Sequence, residues 1–374
     1  MPVSEELGRQ TLIHVVHSGS LYGTERSALW TLAGLRATWH PILIAPVGPL
    51  LDEARKLGIE VHVLRGRLGL FAKLWSLLLR RRSAALLTTG VGQSLLGWMA
   101  QLLACARVTH VCMVNGGFDE HESYARKRWL ARTPVQLVAV SRFVQQNLER
   151  YGVPPESVRT VENFLPQEAF AGEPRRIERD GAKRRIVVVS KLDQIRKFEL
   201  LLEALESRPE LADLSVRVLG DGPARREFER RARAAGLAVE FAGFQRDVAS
   251  ELDQADGFVH TWSREPYGLA VAQALARGLP AIVPDAGGAA DLVEHERTGL
   301  HYAANDASAL ADALCYWRQR PAVELERIGQ RAWGLARLRF GQDRCFAELD
   351  ALLTVRLMQC SRKLVPLPGA TEPR

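Results

Sequence analysis

The fold is decided by the stretch from Gly257 to Tyr302, which reads GFVHTWSREPYGLAVAQALARGLPAIVPDAGGAADLVEHERTGLHY. It begins with a short apolar run at 257–260, which is typical of a buried parallel strand. Small and apolar residues then recur at helical spacing over 269–276, which predicts a buried helix that ends before Pro280. A second strand is predicted at 281–283. The loop before the helix therefore opens at the carboxyl end of a parallel sheet, where α/β sheets bind ligands.

Glu265 and Pro266 stand in this loop, and they predict that the helix begins there. Proline suits a first helical turn because it lacks the N–H that would be left unpaired, and an acidic side chain suits the positive helix end. A carboxylate stabilised by the helix dipole alone would explain Glu265 without any ligand.

The same stretch resembles the donor-site signature of retaining glycosyltransferases of family 4. The resemblance rests on an ordered series of short motifs: Glu-Pro-Tyr-Gly-Leu at 265–269, Gly-Leu-Pro-Ala-Ile-Val at 278–283, Gly-Gly at 287–288 and Thr-Gly-Leu at 298–300. It implies the GT-B fold, an α/β architecture of two Rossmann-like domains facing across a cleft. Members of this family usually carry two glutamates in this region. Here the first is Glu265, and Gln273 occupies the second position.

Length and composition agree with two domains. The chain has 374 residues, of which 47% are hydrophobic and 25% charged, so large cores can form. The formal net charge of +7 favours anionic partners, which include a nucleoside diphosphate, an anionic membrane surface and nucleic acid. Because no helix-turn-helix, zinc or aromatic RNA-binding signature is found, nucleic acid is not expected.

The cysteines and the absence of apolar segments indicate a cytoplasmic protein. Five widely spaced cysteines without a C-x-x-C pair argue against a disulfide framework or a zinc ribbon. No signal-peptide pattern and no run of eighteen apolar residues occurs. We therefore expect reduced thiols and a cytoplasmic location, with peripheral attachment to the inner face of a membrane as a further prediction.

Hydrophobic patterning predicts the domain order. Six buried strands alternate with helices in the first part of the chain, at 11–16, 41–45, 60–64, 84–88, 108–114 and 136–140. We predict an N-terminal Rossmann-like acceptor-side domain at 1–165, a linker at 166–184, and a C-terminal Rossmann-like donor-binding domain at 185–340. The resemblance implies that a helix at 341–360 returns to the first domain, and 361–374 is expected to be a loose tail.

A glycine-bearing turn, Tyr22-Gly23-Thr24-Glu25, follows the first strand. Glycine lets backbone donors approach a phosphate. The turn looks like the first-loop Gly-Gly-x-Glu of the family, with Tyr22 in place of the first glycine. An ordinary helix entry is the alternative.

A basic and apolar segment at 65–82 also allows two interpretations. One is a helix that lies on an anionic bilayer, which would suit an acceptor carried on a lipid. The other is an ordinary sheet-covering helix whose basic residues are solvated.

A polar loop after the fifth strand is the candidate acceptor site, with Asn115, Asp119 and His121 as its candidate residues. Relatives often have a histidine near the start of this loop, and Asn115 occupies that place. An asparagine side chain forms hydrogen bonds but does not titrate near neutrality. A solvated acidic loop is the alternative.

Two lysines follow the first strand of the second domain. Lys191 comes directly after 185–190, and Lys197 is expected at the start of a helix. Two cations there could hold the diphosphate leaving group as the sugar bond breaks. The pair resembles the Arg and Lys of the family, with Lys191 in the Arg position. Taken alone, exposed lysines more often serve solubility.

The resemblance assembles these residues into a site. Glu265, Lys191 and Lys197 are the predicted catalytic residues, and the predicted donor-binding residues are Gly23, Gln273, Gly268, Leu269, Gly287 and Gly288. The ribose would lie near Gln273, the diphosphate at the lysines and glycine turns, and the sugar hydroxyls at Glu265. No metal and no cofactor are expected.

The predicted function is a retaining, metal-independent hexosyltransferase of envelope or exported polysaccharide synthesis. Its donor would be a nucleotide sugar, and its acceptor a glycan or a lipid-linked molecule. The alternative is a glycosyltransferase-like binding or scaffold protein that has lost turnover, which Tyr22, Asn115 and Gln273 favour.

Overall fold

The computed structural model describes residues 9–116, 124–174 and 183–362, and side chains as far as residue 354. The chain divides into two compact units. Unit 1 comprises the chain up to Val140, Gln145–Glu162 and the residues from Asp343 onward, whereas unit 2 comprises Ser141–Val144 and Asn163–Gln342.

Unit 1 contains a seven-stranded parallel sheet of order β3-β2-β1-β4-β5-β6-β7. Its strands are β1 Gln10–Val15, β2 Trp39–Ala45, β3 Glu60–Val63, β4 Ser83–Thr88, β5 Arg107–Val114, β6 Gln136–Ala139 and β7 Val158–Thr160. Helices connect or flank the strands at Gly23–Gly34, Pro49–Lys56, Gly66–Arg81, Val91–Leu103, Arg142–Arg150 and Gln342–Arg362. Shorter 3-10 helices occupy Leu35–Ala37, Ala125–Arg132 and Pro155–Ser157.

The last helix, Gln342–Arg362, completes the packing of unit 1. The indole N–H of Trp39 donates to Asp350 Oδ1 at 2.7 Å, and the Thr109 hydroxyl donates to the Leu353 carbonyl at 3.0 Å. The ring of Phe346 lies where a Cβ at Gly34 would be, so the first helix approaches closely only because Gly34 has no side chain.

Unit 2 contains a six-stranded parallel sheet of order β10-β9-β8-β11-β12-β13. Its strands are β8 Arg185–Val189, β9 Ser215–Leu219, β10 Val239–Gly243, β11 Gly257–Val259, β12 Ala281–Pro284 and β13 Gly299–Tyr302. Its helices are Glu199–Ser207, Arg225–Ala234, Val248–Leu252, Leu269–Ala276, Ala307–Gln319 and Ala322–Arg339, with 3-10 helices at Gln167–Phe170, Pro209–Leu211 and Ala290–Leu292.

Strand β11 lies at the centre of this sheet, paired with β8 on one side and β12 on the other. On one face of this sheet, the buried side chains of Ile186, Val188 and Val259 join those of the covering helices in a continuous core. In this core Phe198 packs against Phe228 with ring centroids 5.2 Å apart. On the opposite face Val187 and Phe258 are also fully buried, so β8 and β11 are covered on both faces of the sheet.

The predicted α/β class with two Rossmann-like domains is confirmed. The predicted start of the helix after β11 is wrong: this helix begins at Leu269 with Gly268 as its N-cap, so Glu265 and Pro266 lie before it. The apolar pattern at 269–276 coincides with the helix itself, whereas Pro266 is not a first-turn residue. In the structure it belongs to the loop that brings Glu265 back toward the strand.

The predicted linker at 166–184 lies partly in unit 2, where Gln167–Phe170 forms a 3-10 helix, and partly outside the described residues. Most of the predicted tail, 363–374, is also outside them. None of the helices in the described part of the chain is both long and apolar enough to cross a membrane.

Candidate functional site

Glu265 is the centre of the candidate site. Its side chain is 23% exposed, and it accepts hydrogen bonds from the backbone at Tyr267 and Gly268. Burial raises the pKa of Glu265 to about 7, although the nearby Arg196 charge and these two hydrogen bonds act in the opposite direction. A carboxyl group is thus held in the loop by donors that favour its charged form, in surroundings that oppose the charge.

His260 lies directly beneath this carboxyl group, one residue past the end of β11. Its side chain is only 9% exposed, and its Nε2 is 3.6 Å from Glu265 Oε2. Burial lowers the pKa of His260 to about 4, so the ring is neutral at pH 7.

The glycine pair after β12 supports the Glu265 loop from behind. Gly288 donates its backbone N–H to the Glu265 carbonyl at 2.6 Å, and a Cβ at Gly288 would lie 2.2 Å from the Pro266 carbonyl oxygen. Gly287 has a φ of +85°, a backbone conformation that is unfavourable for residues other than glycine. The Gly288 N–H is therefore used within the protein, and this glycine acts by close packing.

The start of the following helix is shaped by Gly268, whose φ of +100° reverses the chain before Leu269. The Ser141 hydroxyl donates to the Pro266 carbonyl at 2.6 Å and accepts the Val144 N–H at 3.1 Å. The second bond caps the N-terminus of the helix Arg142–Arg150. The first, made to the candidate loop, could not be read from local sequence.

The two predicted cations lie after β8, and each has a carboxylate neighbour. Lys191 Nζ is 3.8 Å from Asp193 Oδ2, and Lys197 Nζ is 3.5 Å from Glu199 Oε1. Lys197 does not open the helix, which begins at Glu199, and its φ is +58°. A lysine in the left-handed region is uncommon and costs on the order of 1 kcal/mol.

Arg196 is a site residue that the sequence reasoning missed. Its guanidinium forms an ion pair with Asp193 and lies 5.1 Å from the centroid of the Trp262 ring. Its positive charge acts on both Glu265 and His260. The sequence does contain a signal for Arg196, because this residue directly precedes the predicted site residue Lys197. Only the fold shows that the arginine turns toward Glu265.

Gln273 lies on the helix Leu269–Ala276 and is half-buried. Within the described residues its side-chain amide has no hydrogen-bond partner, so both its donor and its acceptor are available to a ligand.

In unit 1, Gly23 opens the helix Gly23–Gly34, and the first turn of this helix carries Glu25, which is 3% exposed. Burial raises the pKa of Glu25, while hydrogen bonds from its own backbone, from Tyr22 and from Ser18, together with His17, act to lower it. Donors of the turn are thus directed at Glu25. The phosphate role of Gly23 stays a prediction.

Of the predicted acceptor residues, only Asn115 can be placed. It is half-buried and follows β5. Asp119 and His121 lie outside the described residues. Within the described ranges, no cluster of three or more His, Cys, Asp or Glu side chains has a geometry that could hold a metal ion.

The fold and this loop define the class of protein as a GT-B glycosyltransferase. Residues 172–332 match the family model of Glycosyl transferases group 1, and residues 21–168 match that of Glycosyltransferase Family 4. Together the two matches cover nearly all of 21–332. The chain belongs to the family 4 type of glycosyltransferases, as the resemblance of its donor-site motifs predicted.

Curated relatives agree with this family. The chain is 26% identical over 228 residues to the "Putative colanic acid biosynthesis glycosyltransferase WcaL" of Escherichia coli (strain K12), which covers 58% of this chain and 56% of the relative. It is 36% identical over 123 residues to a GDP-mannose-dependent alpha-mannosyltransferase of Mycobacterium tuberculosis, covering 31% of this chain and 32% of that protein. The matched parts span about half or less of these relatives.

Solved structures show the same fold. Anabaena Alr3699/HepE in complex with UDP and glucose has a TM-score of 0.80 at 19% identity, and the match covers 92% of this chain and 100% of that one. Sucrose-phosphate synthase from Thermosynechococcus elongatus has a TM-score of 0.76 at 16% identity, covering 94% and 100%.

Proposed function

We propose that this protein transfers a hexosyl group from a nucleoside diphosphate sugar to a glycan or lipid-linked acceptor, with retention of configuration and without a metal or cofactor. The observation that carries the proposal is the Glu265 carboxyl, held after β11 by the backbone at Tyr267 and Gly268 with Arg196 nearby. The colanic acid role given to the E. coli relative, and the UDP and glucose bound to the Anabaena protein, support a donor of this class and a role in polysaccharide synthesis.

In this proposal Glu265 accepts hydrogen bonds from sugar hydroxyls, which orients the donor. Lys191 and Lys197 stabilise the negative charge that accumulates on the diphosphate as the sugar bond breaks, which is the contribution a metal ion makes in other enzymes. Each lysine lies within 4 Å of a carboxylate, at 3.8 Å and 3.5 Å. Donor phosphates must therefore compete with Asp193 and Glu199, and Arg196 adds a third positive charge.

The test is release of free nucleotide from UDP-, GDP- and ADP-sugars by purified protein, with Glu265→Ala alongside and with EDTA present and absent. We expect release from one donor that persists in EDTA and is lost in the variant. The anomeric configuration of the product, read by NMR, tests retention. No release and no nucleotide binding with any donor would refute the proposal.

A binding or scaffold role without turnover is the second candidate, and Gln273 is the observation that favours it. In the family pattern this position is a glutamate, whereas the amide here is neutral and unpaired. Nucleotide binding without release, even after addition of glycan and lipid-linked acceptors, would support this role.

We propose that the acceptor lies at an anionic membrane and that the protein acts at the inner face of this membrane. From Val61 to Phe118 the sequence contains no Asp or Glu, yet it carries seven Lys and Arg residues. Such a segment attracts anionic lipid. In the helix Gly66–Arg81 of this segment, one face presents three exposed apolar residues, Leu68, Trp75 and Leu79.

A second basic and apolar group lies beyond the next helix of unit 1. The helix Val91–Leu103 packs against both Gly66–Arg81 and the 3-10 helix Ala125–Arg132. In the latter, Trp129 is exposed, with the guanidinium groups of Arg128 and Arg132 5.4 Å and 5.3 Å from its ring centroid. Exposed tryptophan flanked by arginine suits a bilayer interface.

Co-sedimentation with vesicles tests the membrane proposal. We expect binding to phosphatidylglycerol-containing vesicles that is lost in high salt, and none to pure phosphatidylcholine. Leu68→Glu should weaken binding several-fold, whereas Leu338→Glu should not, because Leu338 is equally exposed at 87% but belongs to unit 2. Equal effects of the two substitutions would contradict the proposal.

A further inference from the structure

We propose that His260 and Glu265 hold one proton between them in the absence of donor, which makes His260 a positioning residue that sets the charge of Glu265. The consequence for donor binding rests on the function proposed above. The shared proton itself does not, since it is a property of the protein alone.

The geometry around His260 leaves one ring nitrogen aimed at the carboxyl group. Nε2 is buried, has no hydrogen-bond partner, and lies 3.6 Å from Glu265 Oε2. The ring also makes a hydrogen bond with the backbone at Trp262 that raises its pKa, as a bond donated to a carbonyl does. Because Nε2 is unpaired, this bond belongs to Nδ1. The neutral ring then presents the Nε2 lone pair to Glu265.

A lone pair facing a carboxylate oxygen in a buried place is unfavourable. Both atoms are acceptors, and neither can be satisfied by the other without a proton. One proton on Glu265 converts the contact into an O–H···N hydrogen bond when the carboxyl group turns its oxygen to within hydrogen-bond distance of Nε2. The opposite shifts of the two pKa values, to about 4 for His260 and about 7 for Glu265, place that proton on Glu265.

The other groups around the pair do not supply this proton. Arg196 is permanently charged and already forms an ion pair with Asp193. Tyr302 donates its hydroxyl to the His260 carbonyl at 3.0 Å, and burial together with the charge of Asp285 raises its pKa well above the ordinary range. Near neutral pH, the proton is therefore held by Glu265 and His260 and not by these neighbouring groups.

Donor binding then requires a proton to leave. A protonated Glu265 donates its O–H to His260 Nε2. The hydroxyl groups of the sugar donate more strongly to the ionised carboxylate than to this acid form. When the donor binds, the O–H bond of Glu265 breaks and the proton passes to water. His260 stays neutral and holds the acid form in the absence of donor, so that donor affinity depends on pH near neutrality.

The shared proton is tested in the ligand-free protein with 15N-labelled histidine. We expect the Nε2 resonance of His260, assigned by difference with His260→Phe, to shift in a step centred near pH 7 and to lose this step in Glu265→Gln. A resonance that does not change between pH 6 and pH 8, or a step that survives in Glu265→Gln, would overturn the proposal.

The second test is the pH profile of nucleotide release at low donor concentration. His260→Phe keeps the ring volume but accepts no proton, so the acid form of Glu265 loses its partner, and the acidic limb should move down by about one pH unit. His295→Phe, in the same unit, should leave the limb in place. An unmoved limb in His260→Phe with release retained would refute the role of His260. Absence of release from every donor would refute the proposed function, and the NMR step would still decide the shared proton.

Discussion

Gly288 and Glu265 are joined through their backbones: the Gly288 N–H donates to the Glu265 carbonyl at 2.6 Å. The loop that carries the proposed sugar contact is thus held by the turn after the neighbouring strand. A Cβ at Gly288 would lie 2.2 Å from the Pro266 carbonyl oxygen, which is backbone and cannot move aside alone.

Gly288→Ala is therefore expected to displace the Glu265 loop, with a loss of nucleotide release of at least tenfold. Gly334→Ala is the matched control, because a Cβ there meets nothing within 4 Å and alanine favours the helix. The two variants are compared by release rate and by urea unfolding. Full activity in Gly288→Ala would show that the loop adapts without cost.

Lys197 allows charge and backbone strain to be separated. Lys197→Gly and Lys197→Ala both remove the cation and should weaken donor binding equally. Because φ is +58° at this residue, the glycine variant should be more stable than the alanine variant by about 1 kcal/mol. Urea titrations of the two variants measure the difference, and equal stability would show that the backbone relaxes.

Gln273→Glu is expected to tighten binding of the nucleoside diphosphate about fivefold to tenfold. A carboxylate forms stronger hydrogen bonds with ribose hydroxyls than an amide does, by about 1 kcal/mol. Gln254→Glu adds the same charge at an exposed position of unit 2 and should have no effect. Calorimetric titration with UDP, GDP and ADP compares the variants, and unchanged affinity would argue against a ribose contact at this position.

Glu265 should also make stability depend on pH. Its pKa is about 7 in the folded protein and near 4.5 when unfolded, so the folded state binds more protons between these values. The stability that this group contributes is complete below pH 4.5 and is lost as pH rises through 7, by up to about 3 kcal/mol. Glu265→Gln should remove this loss, so that the variant gains on the wild type between pH 5 and pH 8 in urea unfolding.

His14, in unit 1, should make stability depend on pH in the opposite direction to Glu265. It is buried on β1 with neither ring nitrogen hydrogen-bonded, and burial lowers its pKa from 6.5 to about 3. The unfolded state therefore binds more protons between pH 3 and 6.5, and stability falls as pH falls through this range. At pH 5 the loss is about 2 kcal/mol. His14→Leu should abolish it and also raise stability at pH 7. A variant with unchanged pH dependence would contradict this account.

Periodicity located the six strands predicted in the first part of the chain to within two residues, because strands buried on both faces leave a strong apolar signal. The three-residue edge strand β7 was not predicted. The predicted start of the helix after β11 at Glu265 is wrong for a physical reason. Pro266 is as compatible with a loop as with a first helical turn, and the left-handed conformation of Gly268 places the helix start after it.

The site was predictable only in part. Glu265, Lys191 and Lys197 belong to a contiguous motif or follow a strand end, so local sequence is enough to single them out as candidates. The placement of Arg196 over Trp262, and of His260 under Glu265, depends on how loops turn after two adjacent strands. The use of the Gly288 N–H within the protein likewise depends on a contact between two loops, for which sequence spacing has no signal.

The last helix has a consequence for how the protein is made. All strands of the unit 1 sheet have been translated once the ribosome has passed Glu162. The helix that packs on Trp39 and Thr109 begins only at Gln342. Unit 2, apart from Ser141–Val144, is continuous in sequence and can fold on the ribosome first, while unit 1 waits roughly 10 to 40 s for its final segment. During that interval the surface beneath the missing helix is exposed to chaperones and to other nascent chains, so the domain that is translated first is the one that is completed last.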